Sequence, residues 1–289
     1  MDARNTDSAP LTGIAPLGNP SPGGTGFASY YLDDGVLSDP NSTAGDGQPD
    51  RNRIFGGYYV NAGDPAWLEV LKNMTKSATG RAGLNELLTS TEGKGYNCDG
   101  LLLDTLDTPA PNSYGLTQYE WTAPGLRSLV ARISAAFPDK IMLGNRGLFF
   151  HNPNLKHYKF TLRPYLNLLL FESYYTDGSA PAAPNVFFED NRYNFAPKVN
   201  AESQRADGFT VLALGYTTPG EATNLIEEDF LESQGKQGWS LYRTNPALDS
   251  TPFSTTASVW NSENPDVSEP LWDSTAATNA TPTTPRIGI

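Results

Sequence analysis

The sequence has few of the residues from which metal sites and disulfides are built. Its 289 residues include one cysteine, Cys98, and two histidines, His151 and His157. A single cysteine forms no intramolecular disulfide, and so few histidines disfavour a zinc or other histidine-rich centre. A chain of this length buries enough surface for a sizeable core without either device. We therefore expect no metal ion or other cofactor.

Positive charge and long apolar runs are also scarce. The chain has 20 Lys and Arg residues against 32 Asp and Glu residues, a formal net charge of −12. Nucleic-acid binding requires the opposite sign concentrated in a patch, so we expect no nucleic-acid partner. The longest apolar runs, such as residues 166–171, are far shorter than the ~20 residues that span a bilayer. This predicts no membrane insertion.

The N-terminus has no basic segment followed by an apolar run and a small-residue cleavage site, so no signal peptide is recognisable. Thr, Ser, Asn, Gly and Pro are nevertheless abundant and Lys is rare, which favours an extracellular origin. We expect a secreted protein whose leader is absent from this sequence. It is expected to be a monomer, or part of a larger multidomain chain.

Apolar segments of strand length alternate with segments of helical pattern. Asp64 and Pro65 mark one helix start, as an N-cap and a first helical residue. Further helices are predicted at 123–136, 154–163, 196–206 and 219–236, and a weak eighth strand at 11–17. The seven clear strands are predicted at 26–34, 54–63, 98–108, 140–145, 165–173, 209–217 and 239–244.

Alternating strands and helices predict parallel βαβ units. No Gly-rich phosphate loop follows any strand, which disfavours a dinucleotide-binding sheet. The predicted fold is therefore α/β, a (β/α)₈ TIM barrel with an irregular or incomplete first strand and a C-terminal extension. We expect an irregular arm over 1–24, the catalytic barrel over 25–245, and a Thr/Ser/Pro-rich extension and linker over 246–289.

In such a barrel, the C-terminal ends of the strands converge on one mouth, where active sites lie. Asp104 directly ends one apolar strand and Glu172 ends another. Burying a carboxylate there costs several kcal/mol unless it is used or paired. Because two carboxylates divide the work of glycoside cleavage, we predict Asp104 and Glu172 as the catalytic pair. The predicted substrate-binding residues are Asp33, Asn61, Asp107, Asn145, Arg146, Tyr174, Tyr216 and Arg243.

Several of these residues have a structural alternative. Asp107 lies in the loop DTPAP, where an aspartate often caps a helix or closes a turn. Asn145 and Arg146 either orient substrate or close a turn at Gly147. A mouth rich in acids, amides and tyrosines nevertheless suits a polyhydroxylated sugar, because carboxylates bind hydroxyl pairs and aromatic rings stack on pyranose faces.

Five segments resemble glycoside hydrolase family 114, the endo-α-1,4-polygalactosaminidases and related hydrolase domains of exopolysaccharide biosynthesis. They are FGGYYVNAGDPAW, YNCDGLLLDTLDT, IMLGNRG, LLLFESYYTD and VLALGYT. The resemblance covers about residues 25–245 and implies that the catalytic pair falls on Asp104 and Glu172. It also implies an endo-acting hydrolase of an α-linked, galactosamine-containing polysaccharide. Two departures are the weak first strand and Gly215, where relatives often carry an aspartate.

Two other functions stay open on the residues alone. One is a carbohydrate-binding barrel without catalysis. The other is a metal-dependent polysaccharide deacetylase or hydrolase built on Asp33, Asp34 and Asp104.

If the protein is a glycoside hydrolase, which is the leading hypothesis, we expect a retaining mechanism with Asp104 as nucleophile and Glu172 as general acid/base. Donors such as Asn145 and Arg146 are expected around Asp104, and Phe171, Tyr174 and Tyr175 around Glu172. Carboxyl groups about 5–5.5 Å apart would fit retention.

Overall fold

The computed structural model describes residues 27–37, 39–53, 56–79, 81–89, 95–114, 118–217, 221–246 and 287–288. Its helices are α1 (Pro65–Asn73), α2 (Lys76–Thr79), α3 (Leu84–Leu88), α4 (Ala123–Ala136), α5 (Phe188–Asp190), α6 (Ala196–Ser203) and α7 (Thr223–Phe230). Its strands are β1 (Gly100–Leu103), β2 (Ile141–Asn145), β3 (Leu168–Asp177), β4 (Thr210–Tyr216), β5 (Ser240–Thr244) and β6 (Ile287–Gly288).

The strands form one parallel sheet in the order β5-β4-β3-β2-β1-β6. From β1 to β5 each strand lies beside the next one along the chain, with no reversal of direction. Because parallel crossovers are right-handed, this order directs every connecting segment to the same face of the sheet. The prediction of an α/β fold with a parallel sheet is confirmed. Closure into an eight-stranded barrel stays a prediction.

The two faces of the sheet differ in burial. Alternate residues of a strand point to opposite faces, and paired residues of parallel strands point to the same one. The outer face is covered except at Leu103, which is partly buried. Its buried apolar residues are Leu101, Met142, Leu169, Phe171, Val211, Ala213 and Leu241. The inner face is only partly covered by the described residues and consists of Leu102, Leu143, Leu168, Leu170, Leu212, Leu214 and Tyr242.

The helix starts follow local sequence signals. The Asp64 side chain accepts a hydrogen bond from the Ala66 backbone nitrogen at 2.9 Å, and Pro65 opens α1, as predicted. Helix α4 has the predicted bounds. The predicted helix at 154–163 consists instead of two 3₁₀ turns, and α7 continues into a π-helical segment over 231–236.

The described parts of the segments 26–34 and 54–63 are not the parallel strands that we predicted. An isolated antiparallel bridge joins Tyr31 to Val60, and a second joins Arg51 of the intervening loop to Tyr58. A parallel pair needs a crossover of a dozen or more residues, usually a helix. Here the polar loop between them returns directly, because the Asp33 and Asp50 carboxylates accept hydrogen bonds from loop backbone nitrogens.

The predicted arm at 1–24, the weak strand at 11–17 and residues 247–286 of the extension lie outside the described residues. Ile287 and Gly288 pair with Gly100 and Leu101 at the free edge of β1. No described helix is long and apolar enough to cross a membrane.

His151 is a buried base that the core leaves unpaired. Its side chain is fully buried, and its ring meets Phe209 edge-on with 4.8 Å between ring centroids. Neither ring nitrogen has a hydrogen-bond partner in the described part of the chain. Burial, together with the nearby positive charge of Arg163, lowers the pKa of His151 to about 3.

We predict that His151 makes the fold less stable in acid. The unfolded chain binds a proton near pH 6.5 and the folded chain only near pH 3, so stability falls as the pH drops through this window. For this group the loss is about 2 kcal/mol between pH 7 and pH 5. Urea unfolding at both pH values should show that His151→Leu removes a loss of this size. An equal loss in the variant would contradict the prediction.

Candidate active site

Four side chains at the C-terminal ends of neighbouring strands share the inner face of the sheet. Asn145 ends β2 and lies opposite Leu170, two residues before Glu172 on β3. Tyr216 lies two residues beyond the β4 partner of Glu172. Asp104 follows β1 and comes opposite Asn145 when the β1–β2 register is continued by one residue. The strand ladder therefore assembles two carboxylates, an amide and a phenol.

The Asn145 amide joins the two carboxylates. Its Nδ2 atom donates to Asp104 Oδ1 at 3.0 Å and to Glu172 Oε2 at 2.5 Å. Because Asp104 Oδ1 and Glu172 Oε2 accept hydrogen bonds from the same nitrogen atom, they lie at most 5.5 Å apart. Two carboxyl groups this close can reach the same bond of a bound molecule.

Tyr216 holds the other oxygen of Glu172. Its hydroxyl donates to Glu172 Oε1. Burial, followed by the hydrogen bond and the negative charge of Glu172, raises the pKa of Tyr216, so the phenol stays protonated and keeps donating. Both oxygens of Glu172 are thus fixed by side chains from the two flanking strands.

Backbone strain is concentrated directly after these residues. Three of the four described non-glycine residues with positive φ are Thr105, Arg146 and Ser173, at 57°, 56° and 55°. They follow Asp104, Asn145 and Glu172, respectively. A left-handed conformation is unfavourable for non-glycine residues, especially a β-branched one such as Thr105. Such strain is typical of functional sites, where the surroundings fix an otherwise rare geometry.

Arg146 and Asp107 stabilise the chain at the end of β2. Arg146 donates from Nη1 to the Glu172 carbonyl oxygen at 2.8 Å and from Nε to Asp107 Oδ2 at 3.0 Å. The other oxygen of Asp107 accepts from the Gly147 nitrogen at 3.0 Å. Asp107 therefore neither caps a helix nor stands free in the mouth, because it fixes the Arg146 guanidinium and the turn at Gly147.

These residues border a cavity of about 1050 Å³. Two exposed aromatic residues that were not predicted from the sequence also line it. They are Tyr114 and Phe187, which are 54% and 65% exposed. Each lies in the segment that follows a strand bearing a carboxylate of the pair, which was the signal available in the sequence. The predicted site residues that line the cavity are Asp104, Asp107, Asn145, Arg146, Glu172 and Tyr216.

Two predicted substrate-binding residues lie elsewhere because they shape local backbone. Asp33 is buried and its carboxylate accepts from the backbone nitrogens of Gly45, Asp46 and Gly47. Asn61 accepts from the Gly63 nitrogen at 3.0 Å, in the turn before α1. Neither side chain lines the cavity.

Two more lie on the outer side of the sheet. Tyr174 is buried against Phe171 and Trp239, and its hydroxyl accepts from Gln237. Arg243 pairs in register with Gly215, so it points away from the Tyr216 side of the sheet. Like Arg243, Phe171, Tyr174 and Tyr175 lie outside the lining of the cavity, so the expected apolar surroundings of Glu172 do not come from them.

We predict that the Asp104–Glu172 pair lowers the free energy of unfolding. Two carboxylates within about 5 Å repel each other by about 1 kcal/mol or more in partly solvated surroundings. Glu172→Gln removes one charge, and the new amide keeps both hydrogen bonds if it donates to the Tyr216 hydroxyl. The variant should unfold at higher denaturant concentration than the unmodified protein. Asp107→Asn is the matched control, and it should be destabilised because Asp107 is paired with Arg146. A destabilised Glu172→Gln variant would contradict the prediction.

No family model and no curated protein matches the sequence. Among solved structures, the chain is similar to the glycoside hydrolase domain of PelA from Pseudomonas aeruginosa. The identity is 20%, the TM-score is 0.45, and the match covers 69% of this chain and 68% of that one. A variant of the same domain matches with 21% identity and a TM-score of 0.43, over the same shares. Both likenesses are distant, and neither assigns an activity to this chain.

Proposed function

We propose that this protein is a glycoside hydrolase that cleaves a polysaccharide with Asp104 and Glu172. The observation that carries the proposal is the Asn145 nitrogen that bonds to both carboxylates and limits the separation of the bonded oxygens to 5.5 Å. Carboxyl groups about 5–5.5 Å apart are typical of retaining glycosidases, whereas inverting enzymes need about 6.5–9.5 Å to admit a water molecule. The short separation of this oxygen pair supports the retaining class, which we propose for the reaction.

Asp104 is the nucleophile in this scheme. It is exposed, and its Oδ1 atom accepts from Asn145 and from the Thr105 nitrogen at 2.7 Å. These donors orient the carboxylate for attack. Oδ2 attacks the anomeric carbon, and the resulting glycosyl ester is later hydrolysed by water.

Glu172 is the general acid/base. It donates a proton to the departing glycosidic oxygen and then takes a proton from the water that hydrolyses the ester. Tyr216 and Asn145 fix its two oxygens, and Arg146 fixes its backbone carbonyl. Such orientation matters because a misplacement of 1 Å in a reacting group costs on the order of a hundredfold in rate.

The proposed substrate is an α-linked polysaccharide that contains galactosamine, cleaved within the chain. The resemblance of the strand motifs to family 114 supports this assignment. Charge supports it as well, because Arg146 is the only cationic side chain among the described lining residues, and Asp107 already pairs with it. A negative cavity attracts a cationic amino sugar. The lining carboxylates are Asp104, Asp107, Glu172 and Asp190.

The metal-dependent alternative finds less support. It requires Asp33, Asp34 and Asp104 at one ion. Asp33 binds loop backbone nitrogens, and Asp34 accepts from the Trp121 indole nitrogen. No group of three or more His, Cys, Asp or Glu side chains among the described residues is arranged to hold a metal ion.

We predict that the protein releases oligosaccharides from partly deacetylated galactosamine polymers or galactosaminogalactan, detected by mass spectrometry. Asp104→Asn and Glu172→Gln should each lower kcat about a thousandfold or more, since the two residues act as a unit. Asp190 lines the same cavity, but it accepts a hydrogen bond from Asn194 and not from Asn145 or Tyr216, so Asp190→Asn should retain activity within about tenfold. Absence of products across a broad polysaccharide panel would refute the proposed hydrolase.

Azide separates the two roles in the same assay. With Glu172→Ala, azide should attack the glycosyl ester and yield a product of retained configuration. With Asp104→Ala, azide should attack the substrate directly and yield the inverted product. Inverted products from the unmodified protein would overturn the retaining assignment.

We also predict that Tyr114 and Phe187 bind sugar rings by stacking. Both are aromatic, largely exposed and part of the cavity lining. Tyr114→Ala and Phe187→Ala should each raise KM for long oligosaccharides about tenfold with little change in kcat, because they bind substrate away from the reacting atoms. Tyr193→Ala, an exposed aromatic that is absent from the lining, is the control and should leave KM unchanged. An equal KM for all three variants would exclude the stacking role.

A further inference from the structure

A buried carboxylate lies on the outer side of the sheet, behind the candidate site. Asp229 on α7 is fully buried. Its Oδ2 atom accepts from Arg243 Nε at 2.9 Å and from Thr176 Oγ1 at 2.8 Å. Burying a charge costs several kcal/mol unless it is paired and hydrogen-bonded, and these two donors supply both conditions.

Arg243 is fixed from a second direction. Its Nη1 and Nη2 atoms donate to the two oxygens of Glu221 at 3.0 and 2.9 Å. Such a bidentate pair fixes the plane of the guanidinium as well as its position. Arg243 therefore holds the Asp229 carboxylate in a defined place and is not free to bind substrate.

The Thr176 side chain links the Asp229 carboxylate to the sheet. Its hydroxyl donates to Asp229 and accepts from the backbone nitrogen of Tyr216 at 3.1 Å. The ladder between β3 and β4 is irregular here, since the register shifts between Glu172 and Asp177. A bulge deprives backbone groups of their usual ladder partners, and the Thr176 side chain supplies the missing acceptor.

Tyr216 connects this network to the pair of carboxylates. Its backbone nitrogen bonds to Thr176, and its phenol donates to Glu172. The preceding residue leaves room for the network. A Cβ atom at Gly215 would lie 2.3 Å from Asp229 Oδ2 and 2.8 Å from Thr176 Oγ1. Glycine at this position is what allows the carboxylate and the hydroxyl to meet behind β4.

We propose that Asp229 and Thr176 are positioning residues that fix the end of β4 and thereby hold the Tyr216 hydroxyl against Glu172. The catalytic consequence rests on the proposed function of Glu172. The positioning of Tyr216 does not, and it can be measured without substrate. Besides Tyr216, the groups that face Glu172 are Asp104, Asn145, Asp107 and Arg146.

The test is Thr176→Val, which keeps the shape of the side chain and removes both hydrogen bonds. In protein labelled with ¹³Cζ-tyrosine, the Tyr216 resonance, assigned by its loss in Tyr216→Phe, should move in Thr176→Val. The variant's kcat should fall about ten- to a hundredfold with KM within about twofold of its original value, since only the reacting group is displaced. Thr176→Ser, which retains the hydroxyl, should keep the Tyr216 resonance and kcat at their original values.

Ser233→Ala is the matched control. Ser233 donates to the other oxygen of Asp229 at 3.3 Å, and its side chain makes no hydrogen bond to β4 in the described part of the chain. This variant should leave the Tyr216 resonance and kcat unchanged even if it lowers the unfolding midpoint. Should Thr176→Val not fold, Thr176→Ala carries the same expectations.

The outcomes separate this inference from the proposed function. An unmoved Tyr216 resonance in Thr176→Val, or an equal movement in Ser233→Ala, overturns the positioning role whether or not the protein hydrolyses polysaccharides. A moved resonance in a protein that cleaves no polysaccharide supports the positioning of Tyr216 and refutes only the proposed hydrolase.

Discussion

The register of the parallel ladder is the constraint on which the candidate site depends. In a parallel sheet whose strands follow chain order, paired residues point to the same face, so a polar residue at one strand end meets those of its neighbours. Asn145, Glu172 and Tyr216 share this face because Asn145 pairs with Leu170 and Glu172 with Leu214. A slip of one residue in either pairing would turn a carboxylate or its donor into the helix layer.

Bringing two carboxylates together creates an electrostatic cost, which the neighbouring strands reduce. Asn145 donates to both carboxylates, and Tyr216 donates to Glu172 alone. The left-handed residues Thr105 and Ser173 turn the chain away immediately after Asp104 and Glu172. Like charges at short range and left-handed non-glycine residues both oppose folding. A protein retains such costs where the arrangement serves a function.

The sequence predicted strands β1 to β5 correctly, but not the structure of the two segments that precede them along the chain. Continuous apolar runs identified β1 to β5 because strands buried on the helix side leave few polar positions. The first two segments, 26–34 and 54–63, have similar apolar runs but form antiparallel bridges. Their pairing is decided by Asp33 and Asp50, whose carboxylates bind backbone nitrogens of the intervening loop. Such contacts between side chains and a distant backbone leave no periodic pattern in a sequence.

The site was predictable to the extent that side-chain direction could be inferred. Position at a strand end selected Asp104 and Glu172, which line the cavity, but it also selected Arg243, which points the other way. Arg243 pairs with Gly215, and Gly215 precedes Tyr216, so Arg243 and Tyr216 lie on opposite faces. Alternation relates only the residues of one strand, and it fails at Tyr174, which lies on the outer side although it is two residues beyond Glu172. The β3–β4 register shifts between Glu172 and Asp177. The register between strands is also missing from the sequence. It explains why Arg243 stabilises Asp229 in the helix layer while the Tyr216 hydroxyl donates to Glu172 beside the cavity.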